Sequence, residues 1–505
     1  MSEKSIIIIG AGIAGLSVGC YGRMNGFSTR IFEMHGKPGG VCTSWKRKDF
    51  VVNGCIHFLI GSSPTSGYYR MWEELGAVQN RNFIYHEEYM RMVEPDGKTF
   101  VVYSDIDRLE RHMKEIAPED SVTIDEFIKA VRCFTRLDIP WEKAREVSGF
   151  LDTMRMMAKL LPFLGMFRKW NKVSLREFGA RFKNPLIRRA FPMLFLPEFS
   201  MTFLLMVLAN MHGKKAGYPL GGSLEFSRAI ERRYHSLNGE LHYETRVKKI
   251  LTENGRAIGI RLADGTEHRA DYIVSAADGH GTIFDMLEGR YVDDCIRGYY
   301  ERNKLILNPP LIQVALGVNR TFADVPHSAF GTLLTFDAPI TLGGADQDGI
   351  LVHVFNFDPA LAPPGKTLLI TMLPVEYEYW KKLKVHSDQY KSEKERIADT
   401  VVGLLDRKFP GLASQVEMRD VATPMTYVRY TGNWKGSFQG WQITPKTWNM
   451  GRDLMKKTLP GLDNFYMAGQ WVEPAGGVPF VAQSGRNVVQ IICKQEKKKF
   501  RAAAS

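Results

Sequence analysis

The apolar positions along the chain fall into runs and periods that predict an α/β protein. Ile6 to Ile9 is an uninterrupted β-branched run without charge, the pattern of a strand buried on both faces of a parallel sheet. A helix is predicted to begin near Ala11, and Thr29 to Phe32 reads as a second strand. "DFVVNGCIHFLIGSS" reads as strand, turn and strand, punctuated by Gly54 and Gly61. "YYRMWEELGAV" reads as a short helix, and "RMVEPDGKTFVVYSD" as a hairpin around Asp96-Gly97. Residues 105–215 are mostly helical in period, with capping signals at Ser121-Val-Thr-Ile-Asp and Ser174-Leu-Arg-Glu. An α/β pattern then returns. It carries a helix, a strand around Val247, turns at Asn254-Gly255 and Asp264-Gly265, and a strand from Tyr272 that ends at Ala277-Asp278. Residues 291–430 read as a mixed sheet with helices, "NFYMAGQW" as a strand, and a last helix is expected from about Phe480.

The first strand leads into chemistry. Gly10, Gly12 and Gly15 have G-x-G-x-x-G spacing, which suits a tight turn, a backbone close to pyrophosphate and a helix packed onto the strand. That helix would turn its N-terminal N–H groups and dipole to phosphate. Glu33, at the end of the second strand, can accept hydrogen bonds from ribose hydroxyls. Strand, glycines, helix, strand and acid in this order point to a bound dinucleotide. The bland alternative is a relic of the fold with an empty pocket. The nucleotide half is expected from three separated pieces, 1–75, 216–290 and 431–505. Residues 76–215 and 291–430 then form the substrate half.

Charge changes the picture in one place. The net charge of the 505-residue chain is +12, and twelve Lys/Arg against two acids lie between Arg155 and Lys215. The same region is rich in large apolar residues. Phe150, Met154, Met157, Leu161 and Leu164 share one helical face, and Asp152, Arg155 and Lys159 lie on another. This suits either a helix lying on an anionic membrane surface or a core-facing helix with a solvated basic side. Neither of its two apolar runs, "FLDTMRMMAKLLPFLGMFRKW" and "FPMLFLPEFSMTFLLMVLANM", reaches the uninterrupted length of a spanning helix. No recognition motif accompanies the basic charge, so no nucleic-acid partner is expected. Six cysteines stand singly, with no C-x-x-C pair, and the first apolar run is the cofactor strand itself. A reduced, cytoplasmic setting with peripheral membrane association is expected.

The C-terminal segment distinguishes between dinucleotides. "NFYMAGQW", the glycine pair Gly476-Gly477 and the following helix can bring a second helix N-terminus to the far end of the cofactor. FAD needs such an element, because its isoalloxazine extends well past the pyrophosphate. Over its full length the chain resembles the phytoene-desaturase-like flavoproteins, which include carotenoid desaturases, the prolycopene isomerase and retinol saturase. The motifs that carry the resemblance are "IIIIGAGIAGL", "FEMHGKPGG", "GCIHFLIG", "YPLGGSLEFSRAI", "RVKKI", "YIVSAAD" and "FYMAGQWVEPAGGVPFVAQSGR". The resemblance implies a Rossmann-like FAD-binding domain of glutathione-reductase or amine-oxidase type. It also implies an inserted mixed α+β substrate domain and a helical membrane-facing segment. FAD would be held by Gly10, Gly12, Ile13, Ala14, Gly15, Glu33, Gly39, Gly40, Val41, Val247, Gly469, Gln470, Gly477 and Val478. Many relatives have Arg where this chain has Val41, and losing that guanidinium should weaken FAD retention or shift the load to backbone amides. Val41 and "GCIHFLIG" are nearer the saturase and isomerase pattern than the desaturase one.

A hydrophobic polyene or isoprenoid substrate is implied by the same resemblance. Such a molecule needs an apolar tunnel and a flavin more than it needs an acid–base constellation. His57, Trp471 and Glu473 are the candidate catalytic side chains. His57 reads equally as a hydrogen-bonded structural histidine, and Glu473 as an ion-pair partner of Arg486. Asp278 reads as a helix cap. No metal site is expected. Two other classes stay open: a flavin amine oxidase, and a non-enzymatic prenyl- or lipid-binding protein like the GDP-dissociation inhibitors.

Overall fold

The structure, a computed structural model, describes residues 3–138, 141–450, 455–473 and 477–502. The strand Ser5–Ile9 lies inside a five-stranded, all-parallel sheet, with Ser28–Phe32 on one side and Tyr272–Ser275 on the other. Glu240–His242 and Phe465–Met467 complete its edges. Ile6, Ile7 and Ile8 are fully buried, as a two-sided core strand requires. One face is covered by the helices Ile13–Met24 and Val478–Gln495, which pack on each other. A three-stranded antiparallel sheet, Val247–Glu253, Arg256–Leu262 and Glu267–Arg269, contributes to the core on the other face.

The first helix begins at Ile13 with Gly12 as its cap, two residues later than expected. Ala11 is held out of the helix by long-range bonds. Its N–H donates to Glu33 Oε2 at 2.6 Å, and its carbonyl accepts from the Gly39 N–H at 2.9 Å. The last helix begins at Val478 rather than Phe480. Gly476, one of the expected glycine pair, lies outside the described residues.

A second, seven-stranded sheet is mixed. Its order is Val416–Ala422, Leu311–Val318, Thr367–Pro374, Ala345–Val354, Thr332–Leu342, Glu88–Val93 and Thr99–Tyr103. The last two strands are the hairpin expected around Asp96-Gly97. Helices between residues 106 and 134 and between 164 and 212 pack beside it in one apolar cluster that includes Phe127, Phe178, Phe191 and Leu205. Ser174 caps Leu175–Gly179 through a reciprocal box with Glu177. Ser121 does not cap. A turn over Pro118–Asp120 runs directly into the helix Ser121–Phe134, so the cap position falls to Asp120, and the Ser121 hydroxyl donates to the Pro118 carbonyl.

The two apolar runs of the basic region separate. Met201–His212 is a buried core helix. Phe150–Leu160 has no buried residue, and Phe150, Leu151 and Leu161 are 79%, 70% and 66% exposed. No helix among the described residues is long and apolar enough to cross a membrane.

Candidate cofactor and substrate site

A cavity of about 950 Å³ runs along the carboxyl ends of the parallel strands, where α/β sheets place their ligands. The glycine loop after Ile9 forms its first wall. At Gly12 a Cβ would meet only the Gly39 carbonyl, at 4.0 Å, so the loop leaves space on its cavity side. Gly15 is not at the cavity. Its Cβ would lie 2.0 Å from the Gly10 carbonyl, so this glycine serves the close packing of helix on loop. Gly39 has a φ of +107°, and a Cβ there would lie 2.1 Å from the Cys42 carbonyl. Val41 lines the cavity beyond it.

Glu33 faces the same wall. Besides the bond from Ala11, its Oε1 accepts from the His35 N–H at 2.9 Å. Burial raises its pKa above the ordinary carboxyl range, against these hydrogen bonds. Across the cavity stand Val247, Gly469, Gln470, Gly477 and Val478. The Gly469 N–H donates to Ser484 Oγ at 3.0 Å, and Ser17 Oγ donates to the Ala482 carbonyl at 2.6 Å. These bonds hold the start of the last helix against the first one, so two helix N-termini converge on one space. Open space at Gly12, converging helix ends and a buried acid beside the loop fit a dinucleotide.

The far arm of the cavity is largely apolar, though Asp346, Gln347 and Asp348, on the same strand as Leu351, also line the cavity. Phe195, Leu196, Phe203, Phe330, Leu333 and Leu351 line it. His57 stands beside this arm, on a segment clasped by a motif more than 150 residues away in the chain. Leu59 pairs with Gly217, the Ile56 N–H donates to Ser223 Oγ at 2.8 Å, and Asn53 Oδ1 accepts from the Ser223 N–H at 3.0 Å. "YPLGGSLEF" therefore backs the wall that "GCIHFLIG" presents to the cavity.

His57 belongs to a group of four histidines that sequence alone does not bring together. Its ring stacks on His353 with centroids 4.3 Å apart, and Phe330 meets it edge-on at 5.4 Å. His86 Nδ1 lies 2.8 Å from His327 Nδ1. Burial pushes the His57 pKa down to about 4. Burial, with the neighbouring imidazoles, pushes His86 down to about 3 and His353 well below the ordinary value. These three rings are neutral at pH 7. His57 Nδ1 finds no partner in the protein.

Trp471 lines the cavity and is buried, with its indole N–H unpartnered. Glu473 is not among the described lining residues. Its carboxylate pairs with Lys457 at 2.7 Å instead of Arg486, which is held by Glu74 at 3.4 Å and by the Glu142 carbonyl. The reason is topological: Arg486 faces Tyr21 and Trp141 on the helix side, and the loop carrying Glu473 does not.

Asp278 lines the cavity as well as capping. It accepts from the Gly281 N–H at 2.6 Å, as a cap does, and also from the Trp434 N–H at 2.8 Å. Burial raises it to about 7. The sequence signal for this second role is its position just after a buried parallel strand. Among the described residues no group of three or more His, Cys, Asp or Glu side chains, the four histidines included, is placed to hold a metal ion.

Residues 13–493 match the family described as flavin containing amine oxidoreductase. Among curated proteins, the chain is 24% identical to the chloroplastic prolycopene isomerase of Daucus carota, over 96% of this chain and 79% of that protein. It is 25% identical to the neurosporene-forming phytoene desaturase of Rhodobacter capsulatus, over 99% and 95%. Among solved structures, a redesigned putrescine oxidase aligns with a TM-score of 0.62 at 13% identity, covering 98% of this chain and 99% of that one. An oxidoreductase from Methanosarcina mazei aligns with a TM-score of 0.58 at 19% identity, over 96% and 100%.

Proposed function

The chain belongs to the flavin-containing amine oxidoreductase family and is an FAD-dependent enzyme, and from that premise we propose that it acts on carbon–carbon double bonds of a hydrophobic polyene or isoprenoid. The observation that carries this reading is the apolar arm of the cavity, joined to the cofactor end at His57. Bound FAD supplies two-electron hydride chemistry at its N5. The chain's own residues would hold and orient the reactants. Gly10, Gly12, Gly39, Gly40 and Val41 would cradle the pyrophosphate, Glu33 the ribose, and Gly469, Gln470, Gly477 and Val478 the flavin end. Phe195, Phe203 and Leu333 would exclude water around the chain of the substrate. His57, neutral and with a free ring nitrogen, would offer a hydrogen bond or take a proton at the junction. Val41 and "GCIHFLIG" favour saturation or isomerisation over desaturation.

We further infer that the protein docks peripherally on an anionic membrane through the helix Phe150–Leu160. Exposed Phe150, Leu151, Met154 and Leu161 next to the basic residues of the segment support that surface.

The test is to incubate the protein in liposomes with phytoene, poly-cis lycopene or retinol, with oxidised or chemically reduced flavin. Conversion only under reducing conditions is expected. Conversion only with an oxidant would assign desaturation. Turnover of a soluble amine and of no polyene would overturn the substrate class.

A further inference from the structure

The six cysteines stand singly in the sequence, yet the fold sets two of them against each other in the cavity wall. Strands Ser44–Arg47 and Phe50–Asn53 pair antiparallel, with Ser44 opposite Asn53. The ladder runs one rung further, because the Gly54 N–H donates to the Thr43 carbonyl at 3.0 Å. Beyond that bond the strand pairing ends: the Thr43 N–H donates to the Val41 carbonyl at 2.8 Å and the Cys42 N–H to the Gly39 carbonyl at 2.9 Å, so Cys42 sits in the turn that leaves the glycine loop. Its neighbours still lie against the segment of Cys55, because a Cβ at Gly54 would meet the Thr43 carbonyl at 2.7 Å and the Val41 carbonyl at 3.5 Å. A disulfide needs Cα atoms about 4.4–6.8 Å apart, so closure asks that this turn bring Cys42 to Cys55.

Two further observations agree. The Cys42 thiol donates to the Ser223 carbonyl at 3.7 Å and is the largest influence on the Cys55 thiol. Both residues also line the cavity, with Cys42 buried and Cys55 half-buried. Cys42 directly follows the Gly39-Gly40-Val41 loop, and Cys55 lies two residues before His57. A bond between them would tie the cofactor loop to the segment that carries the histidine.

We propose that Cys42 and Cys55 are a redox-active dithiol that closes reversibly to a disulfide in the wall of the FAD cavity, by exchange with a low-molecular-weight disulfide. One protein thiolate attacks the small disulfide, forms a mixed disulfide and releases one small thiolate. The second protein thiolate then displaces the other. One protein S–S bond forms and one small S–S bond breaks. Two electrons pass to the small molecule, and the two protons leaving the protein thiols end on the two small thiols. Contact with Cys42 and burial hold the Cys55 thiol well above its ordinary pKa, so exchange accelerates as pH rises and thiolate forms.

The experiment uses the full-length, FAD-loaded protein, equilibrated at pH 8 in glutathione buffers of rising oxidised fraction. It is then acid-quenched, unfolded and alkylated for mass analysis. The expected result is a single step from six alkylated cysteines to four, reversed by dithiothreitol. The unreduced digest should contain one cross-linked peptide joining Cys42 to Cys55. Cys42→Ser and Cys55→Ser should each lose the step, while their bound-flavin absorbance reports that the fold is kept. Six alkylated thiols throughout, a mixed disulfide that never closes, or a cross-link between other cysteines would each overturn the proposal.

Discussion

His57 lies face to face with His353, their ring centroids 4.3 Å apart and their planes 21° from parallel. Stacked imidazoles buried this way cannot both carry charge, and burial keeps His57 neutral down to about pH 4. His57→Phe keeps a ring on that stack. The variant should fold and hold flavin as the parent does, and lose turnover about 10²- to 10⁴-fold if the imidazole transfers a proton. Flavin absorbance and the rate constant, measured on one preparation, check both halves. No ionisation near pH 6.5 should arise from this residue in the parent's rate profile.

The same burial makes the protein acid-labile. His57 and His86 have folded pKa values of about 4 and about 3, below the unfolded value of 6.5. The unfolded chain therefore binds the extra protons first. Stability is fully present above pH 6.5 and is lost as pH falls toward the folded values. A difference of one pKa unit between folded and unfolded chain is worth about 1.4 kcal/mol, so His57 alone accounts for up to about 3 kcal/mol. Urea unfolding at pH 7 and pH 4.5 should show the fall, and His57→Phe should reduce it.

Asp278 acts with the opposite sign. Its carboxyl is raised from 3.8 to about 7, so the folded protein holds that proton more tightly than the unfolded chain. In cofactor-free protein its contribution is greatest below pH 3.8 and is lost as pH rises through about 7. Asp278→Asn should flatten the part of the unfolding free-energy profile that the parent shows between pH 3.8 and about 7, a difference of a few kcal/mol.

Flavin retention tests the cradle. Val41 lines the cavity where an arginine would meet a diphosphate, so Val41→Arg should slow loss of FAD on dialysis. Glu33→Gln should speed it, since a hydrogen bond to a charged group is worth about 1.5–3 kcal/mol, or roughly 10- to 100-fold in affinity. Free FAD in the dialysate measures both.

Membrane docking is read by co-sedimentation with anionic vesicles. Replacing Phe150, Leu151 and Leu161 with Ser should weaken binding more than about tenfold, because each large apolar side chain is worth about 1.5–3 kcal/mol when buried. Replacing Arg168, Lys169 and Lys172 with Glu should weaken it too, and added salt should mimic that charge reversal.

The local machinery of this protein is written in its sequence. The buried strand, the glycine turn, the following helix, Glu33 and the Ser174 cap each depend on sterics and hydrogen-bonding capacity within a few residues, and their spacing records this directly. "GCIHFLIG" and the stretch Ala468 to Trp471, both singled out in the sequence, likewise line one cavity. Which distant groups meet is a matter of tertiary structure. His57, His86, His327 and His353 come from four separate stretches, the segments of Cys42 and Cys55 come together where the Gly54 N–H meets the Thr43 carbonyl, and Glu473 turns to Lys457. An apolar period states that one face avoids water, but not what covers it. The Met201–His212 helix, without Lys, Arg, Asp or Glu, is core, while the Phe150 face, on a helix that also carries Asp152, Arg155 and Lys159, is left exposed. Register and the crossing of chain segments are set by the packing of the whole molecule, and no local pattern carries them.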